Sequence, residues 1–172
     1  QWTMHDEIHD RFVSLADATV LYLSWEVRQG FINAVKERMN PDPNRLQSIV
    51  ERNVKQFENG NEFYIGLYCY EEEWCCMTGP DPVWNLLLST DSSNAIRPIL
   101  VEQTVIPPEQ AWMFLDNLTH GKKVFRVVFP TRDPDGNSLI SKDTKSFSLS
   151  CQSLLGKMSF RWDLEPVPFD LD

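Results

Sequence analysis

The chain has 172 residues, of which 42% are hydrophobic and 24% are charged, so it can bury a core of its own without disulfides or a structural metal. Its formal net charge is −9, and its longest basic cluster is Lys122-Lys123. A nucleic-acid partner is therefore not expected, because phosphate backbones require concentrated Lys and Arg. No apolar run reaches the length of a membrane span, so no transmembrane segment is expected.

Residues 1–60 are predicted to form a segment of three amphipathic helices. Ser24 is typical of an N-cap for the second helix, and Asp42 followed by Pro43 is typical of the start of the third. Asn59-Gly60 provides a C-terminal stop. The first helix is predicted within residues 5–23 from apolar positions at helical spacing, which are Ile8, Phe12, Leu15, Thr19 and Tyr22.

Residues 61–172 are predicted to form a β-sandwich, because apolar residues recur at every second position. A short helix is also predicted within Glu109–Leu118. Turn signals at Asp133–Gly136 and Leu155-Gly156 are predicted to join the last three main strands into one antiparallel sheet. The predicted strands are 62–70, Val83–Ser89, Arg97–Val105, Val124–Phe129, the weak Asn137–Ser141, Phe147–Cys151 and Lys157–Leu164.

The predicted fold class is α+β, with three N-terminal amphipathic helices packed on an antiparallel immunoglobulin-like β-sandwich of about seven strands. The helical segment 1–60 and the sandwich 61–172 are expected to share one continuous core. The immunoglobulin-like interpretation depends on Cys69, Trp84 and Cys151, which follow one another along the strand series. The pattern is incomplete, because Leu149 stands where an immunoglobulin domain has a Tyr two residues before the second Cys.

Three short motifs within residues 10–164 give the chain a resemblance to a known type of protein. They are Trp84-Asn85-Leu86-Leu87-Leu88, Pro98-Ile99, and Val127-Val128-Phe129-Pro130 with Asp135-Gly136. Together with N-terminal helices, they resemble uncharacterised exported bacterial proteins, often lipoproteins. The resemblance implies a periplasmic or outer-membrane-associated location with a lipid anchor upstream of the chain, and it implies no catalytic residues. A cytoplasmic location is the alternative.

The start at Gln1 fits a mature chain whose export signal has been removed. It fits a shortened recombinant chain equally well. Both interpretations stay open at the level of the sequence.

The candidate surface for a protein partner is an aromatic and acidic stretch, which consists of Tyr70, Glu71, Glu72, Glu73 and Trp74. Tyr70 ends a predicted strand and the other residues lie in the following loop. Aromatic residues are concentrated at interfaces because they bury a large area with little loss of side-chain entropy. Tyr64 and Tyr68 lie within the strand, and burial beneath the N-terminal helices is the favoured interpretation for them.

Two patterns suggest metal ligands, and neither is sufficient to predict a site. His5 and His9 stand one helical turn apart, but in a helix the order His-x-Glu-x-His places Glu7 on another face, and no third ligand is apparent. Residues 133–137 resemble the start of a calcium loop, which would require Glu at its twelfth position, where Lys145 stands. No metal, cofactor or catalytic residue is therefore predicted, and no Gly-x-Ser-x-Gly motif is present.

The four cysteines form no paired metal-binding pattern. Cys69 and Cys151 occupy inward strand positions and are predicted to be buried as small apolar residues. Cys75 and Cys76 lie in a loop and are predicted to be the more reactive pair. An even number of cysteines permits disulfides in an exported protein, although these two neighbours can hardly bond each other.

The sequence does not specify a function. The favoured hypothesis is a non-catalytic binding or structural module of the cell envelope that acts through protein–protein contact. The alternative is a metal-dependent or hydrolytic enzyme whose site is assembled from distant residues. An open pocket with converging titratable groups would favour the enzyme, and an exposed aromatic patch would favour the module.

Overall fold

The computed structural model describes residues 2–91, 95–106 and 121–164, which form two antiparallel sheets and two α-helices. The elements in chain order are β1 (Thr3–Asp10), β2 (Val13–Tyr22), α1 (Trp25–Met39), α2 (Pro43–Asn59), β3 (Asn61–Cys69), a 3₁₀ helix (Glu72–Trp74), β4 (Asn85–Thr90), β5 (Leu100–Thr104), β6 (Lys123–Phe129), β7 (Ser146–Ser153) and β8 (Gly156–Asp163). The larger sheet has the order β1-β2-β3-β6-β5, and the smaller one has the order β4-β7-β8. No helix in these ranges is long and apolar enough to cross a membrane.

The prediction of three N-terminal helices packed on an immunoglobulin-like sandwich is wrong. The part of the chain that the structure describes is mainly β, with eight strands and two helices. Residues 5–23 lie largely in the β1–β2 hairpin and not in a helix. In β2 the buried core side chains alternate with side chains on the other face, because the strand pairs along its length with β3. The core positions of β2 are Ala16, Ala18, Val20 and Tyr22.

The two predicted helices that follow are confirmed, together with their caps. The Ser24 hydroxyl accepts a hydrogen bond from the Val27 backbone N–H at 3.3 Å, which satisfies one of the free donors of the first turn of α1. The Asp42 carboxylate accepts from two backbone N–H groups at the start of α2, both at 3.0 Å. Phe31 and Val35 of α1 pack with Ile49 of α2, so the facing stripes of the two helices bury each other.

The prediction that the last three main strands form one sheet is also wrong. The strand β6 pairs with β3 and β5 in the larger sheet, whereas β7 pairs with β4 and β8 in the smaller one. The Asp133–Gly136 turn therefore lies in a connection between the sheets. The predicted weak strand Asn137–Ser141 is reduced to one bridge between Arg132 and Ser138, and Leu139 is buried in the core. The helix predicted within Glu109–Leu118 lies outside the described residues.

The main core lies between the two sheets. Phe63 of the larger sheet packs against Phe147 and Trp162 of the smaller one, and the last two rings stack with centroids 4.9 Å apart. Cys69 and Cys151 belong to this core, as predicted, and are free thiols. Because β1 and β2 join β3 in one sheet, residues 1–60 contribute directly to the same core as the later strands.

A second, smaller apolar layer lies on the outer face of the larger sheet. Leu21 and Leu23 cluster there with Tyr64 and Val124, and Val27 of α1 packs against them. Tyr64 is buried, as the sequence predicts. Tyr68, further along the same strand, is 41% exposed, which corrects the expectation of burial for that residue. The outer face is therefore covered near α1 and accessible near the end of β3.

Candidate partner surface

The loop that follows β3 places the predicted acidic residues at one end of the larger sheet. Tyr70 is 58% exposed, and Glu71, Glu72 and Glu73 are exposed beside it. The Tyr70 backbone N–H donates to the Leu15 carbonyl oxygen at 2.9 Å, so the loop is fixed next to the start of β2. The structure thus brings four of the five predicted residues together on the surface.

Trp74, the fifth predicted residue, has a mainly structural position. Its side chain is half-buried and packs against the main core. Its backbone carbonyl accepts a hydrogen bond from the indole N–H of the buried Trp84 at 2.7 Å. Trp74 therefore anchors the acidic loop to the core, and its removal would disturb the loop itself.

Two residues that the sequence did not single out for a surface lie at the tips of hairpins. Phe12, between β1 and β2, and Leu154, between β7 and β8, are both fully exposed. The two hairpins adjoin, because a Cβ added at Gly156 would lie 3.1 Å from the Ile8 side chain. The helical interpretation of residues 5–23 had assigned Phe12 to a buried stripe, which concealed its position.

We refer to the exposed set at this end of the molecule as the hairpin-end surface. It combines large apolar side chains with a group of carboxylates. Glu72 is paired with Lys123 at 3.3 Å, and no such ion pair is seen for Glu71 or Glu73 within the described residues. The hairpin-end surface consists of Phe12, Val13, Tyr70, Glu71, Glu72, Glu73 and Leu154.

A second polar cluster lies on the outer face of the β1–β2 hairpin. His5, Glu7 and His9 are exposed at alternate positions of β1, and Glu7 is opposite Asp17 of β2. His5 Nε2 lies 3.1 Å from Asp17 Oδ1, and His9 Nε2 lies 2.9 Å from Glu7 Oε1. Lys122 also contacts the Asp17 carboxylate and donates to the Thr19 hydroxyl at 2.9 Å. The strand pairing thus brings His5, Glu7 and Asp17 close to one another.

The calcium-like turn is closed by its own hydrogen bonds. Asp133 Oδ1 accepts from the Asn137 backbone N–H at 2.8 Å, and its other oxygen accepts from the Asn137 side chain at 3.3 Å. Arg132 donates to the Gly136 carbonyl at 2.7 Å. Gly136 has a φ of 86°, which favours glycine at this position of the turn. The carboxylate is used as a turn cap, as the turn interpretation of the sequence predicted.

A shallow groove of about 330 Å³ lies along β4 and β7. Its charged side chains are Asp91 and Arg161, and Arg161 already pairs with Asp163 at 2.9 Å. The remaining lining is supplied by Ser and Thr hydroxyls and by Phe147. The described residues that line the groove include no histidine or cysteine.

The cysteines of the acidic loop differ from each other in exposure. Cys75 is buried in the main core, whereas Cys76 is only half-buried. A hydrogen bond between the side chains of Cys69 and Cys75, together with burial, raises the pKa of the Cys69 thiol. The same hydrogen bond lowers the pKa of Cys75. The prediction that Cys75 and Cys76 are the more reactive pair is therefore replaced by an expectation that Cys76 alone is the accessible thiol.

Comparison with known proteins gives one structural likeness. No protein-family model matches the chain, and no curated protein sequence matches it. Among solved structures, it is similar to a crystal structure described as a novel protein of unknown function from Burkholderia pseudomallei K96243. The two share 12% sequence identity with a TM-score of 0.47, over 92% of this chain and 77% of that chain. A likeness at this level assigns neither an activity nor a partner to this chain.

Proposed function

We propose that this protein is a non-catalytic binding module that contacts another protein through its hairpin-end surface. The observation that supports the proposal is the position of Phe12 and Leu154, two fully exposed side chains on adjoining hairpins. Tyr70 lies at the same end of the larger sheet. Apolar side chains at the centre of a contact, with aromatic residues among them, are the groups that contribute most to protein–protein affinity.

The chemistry of the proposed partner follows from the charge around these apolar groups. Glu71 and Glu73 present carboxylates beside Tyr70, and the whole chain has a net charge of −9. A partner with an apolar depression bordered by Lys or Arg is complementary to this arrangement. An anionic membrane is not complementary, because the same carboxylates would be repelled from it. The charge of this surface therefore favours a protein partner over an anionic membrane.

A cell-envelope location belongs to the same proposal and is supported by the resemblance to exported bacterial proteins. Fractionation of cells that express the natural gene tests it. Recovery of the protein with the periplasm or the outer membrane supports the location. Recovery in the cytoplasmic fraction alone contradicts it without affecting the contact surface.

The binding experiment uses immobilised protein and envelope extract, with captured proteins identified and then purified for titration. The test variant is Phe12→Ser with Leu154→Ser, which removes the two exposed apolar tips without emptying the core. We expect loss of the partner, with affinity at least about tenfold weaker, since hot-spot residues contribute about 2 kcal/mol or more. Met39→Ser is the matched control, because Met39 is 47% exposed at the end of α1 and lies outside the surface.

Charge provides an independent readout for the same partner. Glu71→Gln with Glu73→Gln is expected to weaken binding and to reduce its dependence on salt, because fewer charges then attract the partner. Equal binding by the wild type and the Phe12→Ser, Leu154→Ser variant would contradict the proposal. So would binding to anionic vesicles in the absence of a protein partner. Circular dichroism verifies that each variant is folded.

A further inference from the structure

The outer face of the β1–β2 hairpin carries a set of side chains with the chemistry of a metal site. Successive side chains of a strand alternate between its faces, so positions 5, 7 and 9 share one face. The structure places His5, Glu7 and His9 on the exposed side of β1, while Met4 and Ile8 pack against the core. In the predicted helix, Glu7 would lie on a different face from the two histidines. In the observed strand it lies on the same face, so this argument against a metal site no longer applies.

The missing further ligand comes from the neighbouring strand. Asp17 of β2 is the register partner of Glu7. One ligand atom from each of His5, Glu7 and Asp17 can be chosen so that all three lie within 4.8 Å of one another. His9 lies outside this group, because it contacts Glu7 Oε1 at 2.9 Å but is four strand residues, about 13 Å, from His5. Ligand atoms around a tetrahedral zinc ion lie about 3.3 Å apart, given bonds of about 2.0–2.1 Å, so the three side chains would have to approach one another by up to about 1.5 Å.

The charges of the cluster also favour a cation. Glu7 and Asp17 are carboxylates directly opposite each other, and like charges in such cross-strand pairs are destabilising. Lys122 neutralises part of this charge through its contact with Asp17. The Glu7 carboxylate is contacted by the His9 imidazole. A divalent ion among His5, Glu7 and Asp17 would neutralise both carboxylates at once.

We propose that His5, Glu7 and Asp17 bind one divalent transition-metal ion on the outer face of the β1–β2 hairpin. One imidazole nitrogen and two carboxylate oxygens form a ligand set that suits zinc, whereas calcium and magnesium favour sites made of oxygen alone. The site goes beyond the proposed binding function. Its structural effect is to join β1 to β2 close to the turn that carries Phe12.

Calorimetric titration of the chelator-treated, untagged protein with zinc chloride is the primary test. We expect one ion per chain for the wild type, and at least about tenfold weaker binding for His5→Ala and for Asp17→Asn. The bound ion also raises the melting temperature, because it binds the folded state. Cobalt(II) gives a visible absorption spectrum that reports nitrogen and oxygen ligation directly.

Asp10→Asn is the matched control, because Asp10 lies on the same hairpin and its carboxylate is outside the cluster. It lowers the negative charge as much as Asp17→Asn does, but it should leave zinc affinity unchanged. Wild-type affinity in the His5→Ala variant would overturn the proposal. Equal weakening by Asp10→Asn and Asp17→Asn would also overturn it, because the ion would then follow net charge and not a defined site. Asp17 is only partly exposed and pairs with Lys122, so circular dichroism checks that each variant is folded.

Discussion

Arg28 of α1 and Glu62 of β3 form an ion pair of 2.6 Å in which the two side chains are only 3% and 2% exposed. The other oxygen of Glu62 accepts from Arg126 of β6. Arg28 also donates to the side chains of Asn53 and Gln56 in α2. Glu62 is therefore the point at which both helices are joined through polar contacts to the outer face of the larger sheet.

Replacement of Glu62 by Gln should be strongly destabilising. The substitution leaves two guanidinium groups without their shared carboxylate, and breaking a buried pair by removal of one partner costs about 3–5 kcal/mol. Urea unfolding followed by circular dichroism measures the change. Asp163→Asn is the control, because the Arg161–Asp163 pair is exposed and should change stability by less than about 1 kcal/mol. Equal effects of the two substitutions would show that burial of the Glu62 network is unimportant.

The helix pair provides a second prediction about stability. Phe31 is 3% exposed between α1 and α2, so Phe31→Ala should cost about 3–5 kcal/mol, the range for an emptied aromatic site. Phe57 of α2 lies at an apolar position of helical spacing after Leu46, Ile49, Val50 and Val54, so the sequence alone predicts the same cost for Phe57→Ala. The structure leaves Phe57 39% exposed against the ring of Trp25, with centroids 5.5 Å apart, so we expect about 1 kcal/mol there. Denaturant unfolding of both variants measures the two losses of stability. A larger loss of stability for Phe57→Ala than for Phe31→Ala would contradict the prediction.

The elements that were predictable are those whose signals are local. Ser24 and Asp42 mark helix starts by side-chain capping, which requires no knowledge of the remaining fold. The alternation in Lys157–Leu164 likewise appears as β8. Residues 5–23 lack such a marker, since their apolar positions satisfy both periods in part. Pairing of β2 with β3, some 45 residues away, selects the strand, and such pairing cannot be read from a local window.

The candidate surfaces were likewise predictable only where their signals in the sequence are local. Tyr70 and Glu71–Glu73 were found from composition and position after a strand, and they lie on the surface. Phe12 was not found, because its exposure depends on the turn that a mistaken helix replaced. The ligand set around Glu7 was hidden for the same reason. The prediction of a helix in place of the β1–β2 hairpin therefore concealed two features, the exposed Phe12 and the ligand set around Glu7.

Thiol labelling of the native, reduced protein tests the environment of the acidic loop. Cys76 should react first, because it is the only one of the four that is not buried. Cys75 should follow slowly despite its lowered pKa, because access limits a buried thiolate. Mass spectrometry of labelled peptides assigns the order. Cys76→Ser should remove the fast phase, and labelling of Cys151 before Cys76 would contradict the packing of the core.

Stability should fall in alkaline solution because burial raises the pKa of the Cys151 thiol above its ordinary value of 9.0 and that of the Tyr22 hydroxyl above 10.0. The folded state keeps these protons where the unfolded state has lost them, so the folded state binds more protons and its stability decreases with rising pH. The contribution is complete below pH 9.0 and is lost progressively above it, first through Cys151 and then through Tyr22.

Each group should contribute a slope of up to about 1.4 kcal/mol per pH unit above its ordinary pKa. The free energy of unfolding, measured in urea between pH 7 and about pH 10.5, gives this slope. Cys151→Ala lowers stability at every pH through the lost packing, so its slope and not its absolute value is compared with the wild type. The slope just above pH 9 should be smaller in the variant by about one proton. An unchanged slope would mean that Cys151 ionises as readily in the folded protein as in the unfolded chain, which its complete burial in the core should prevent.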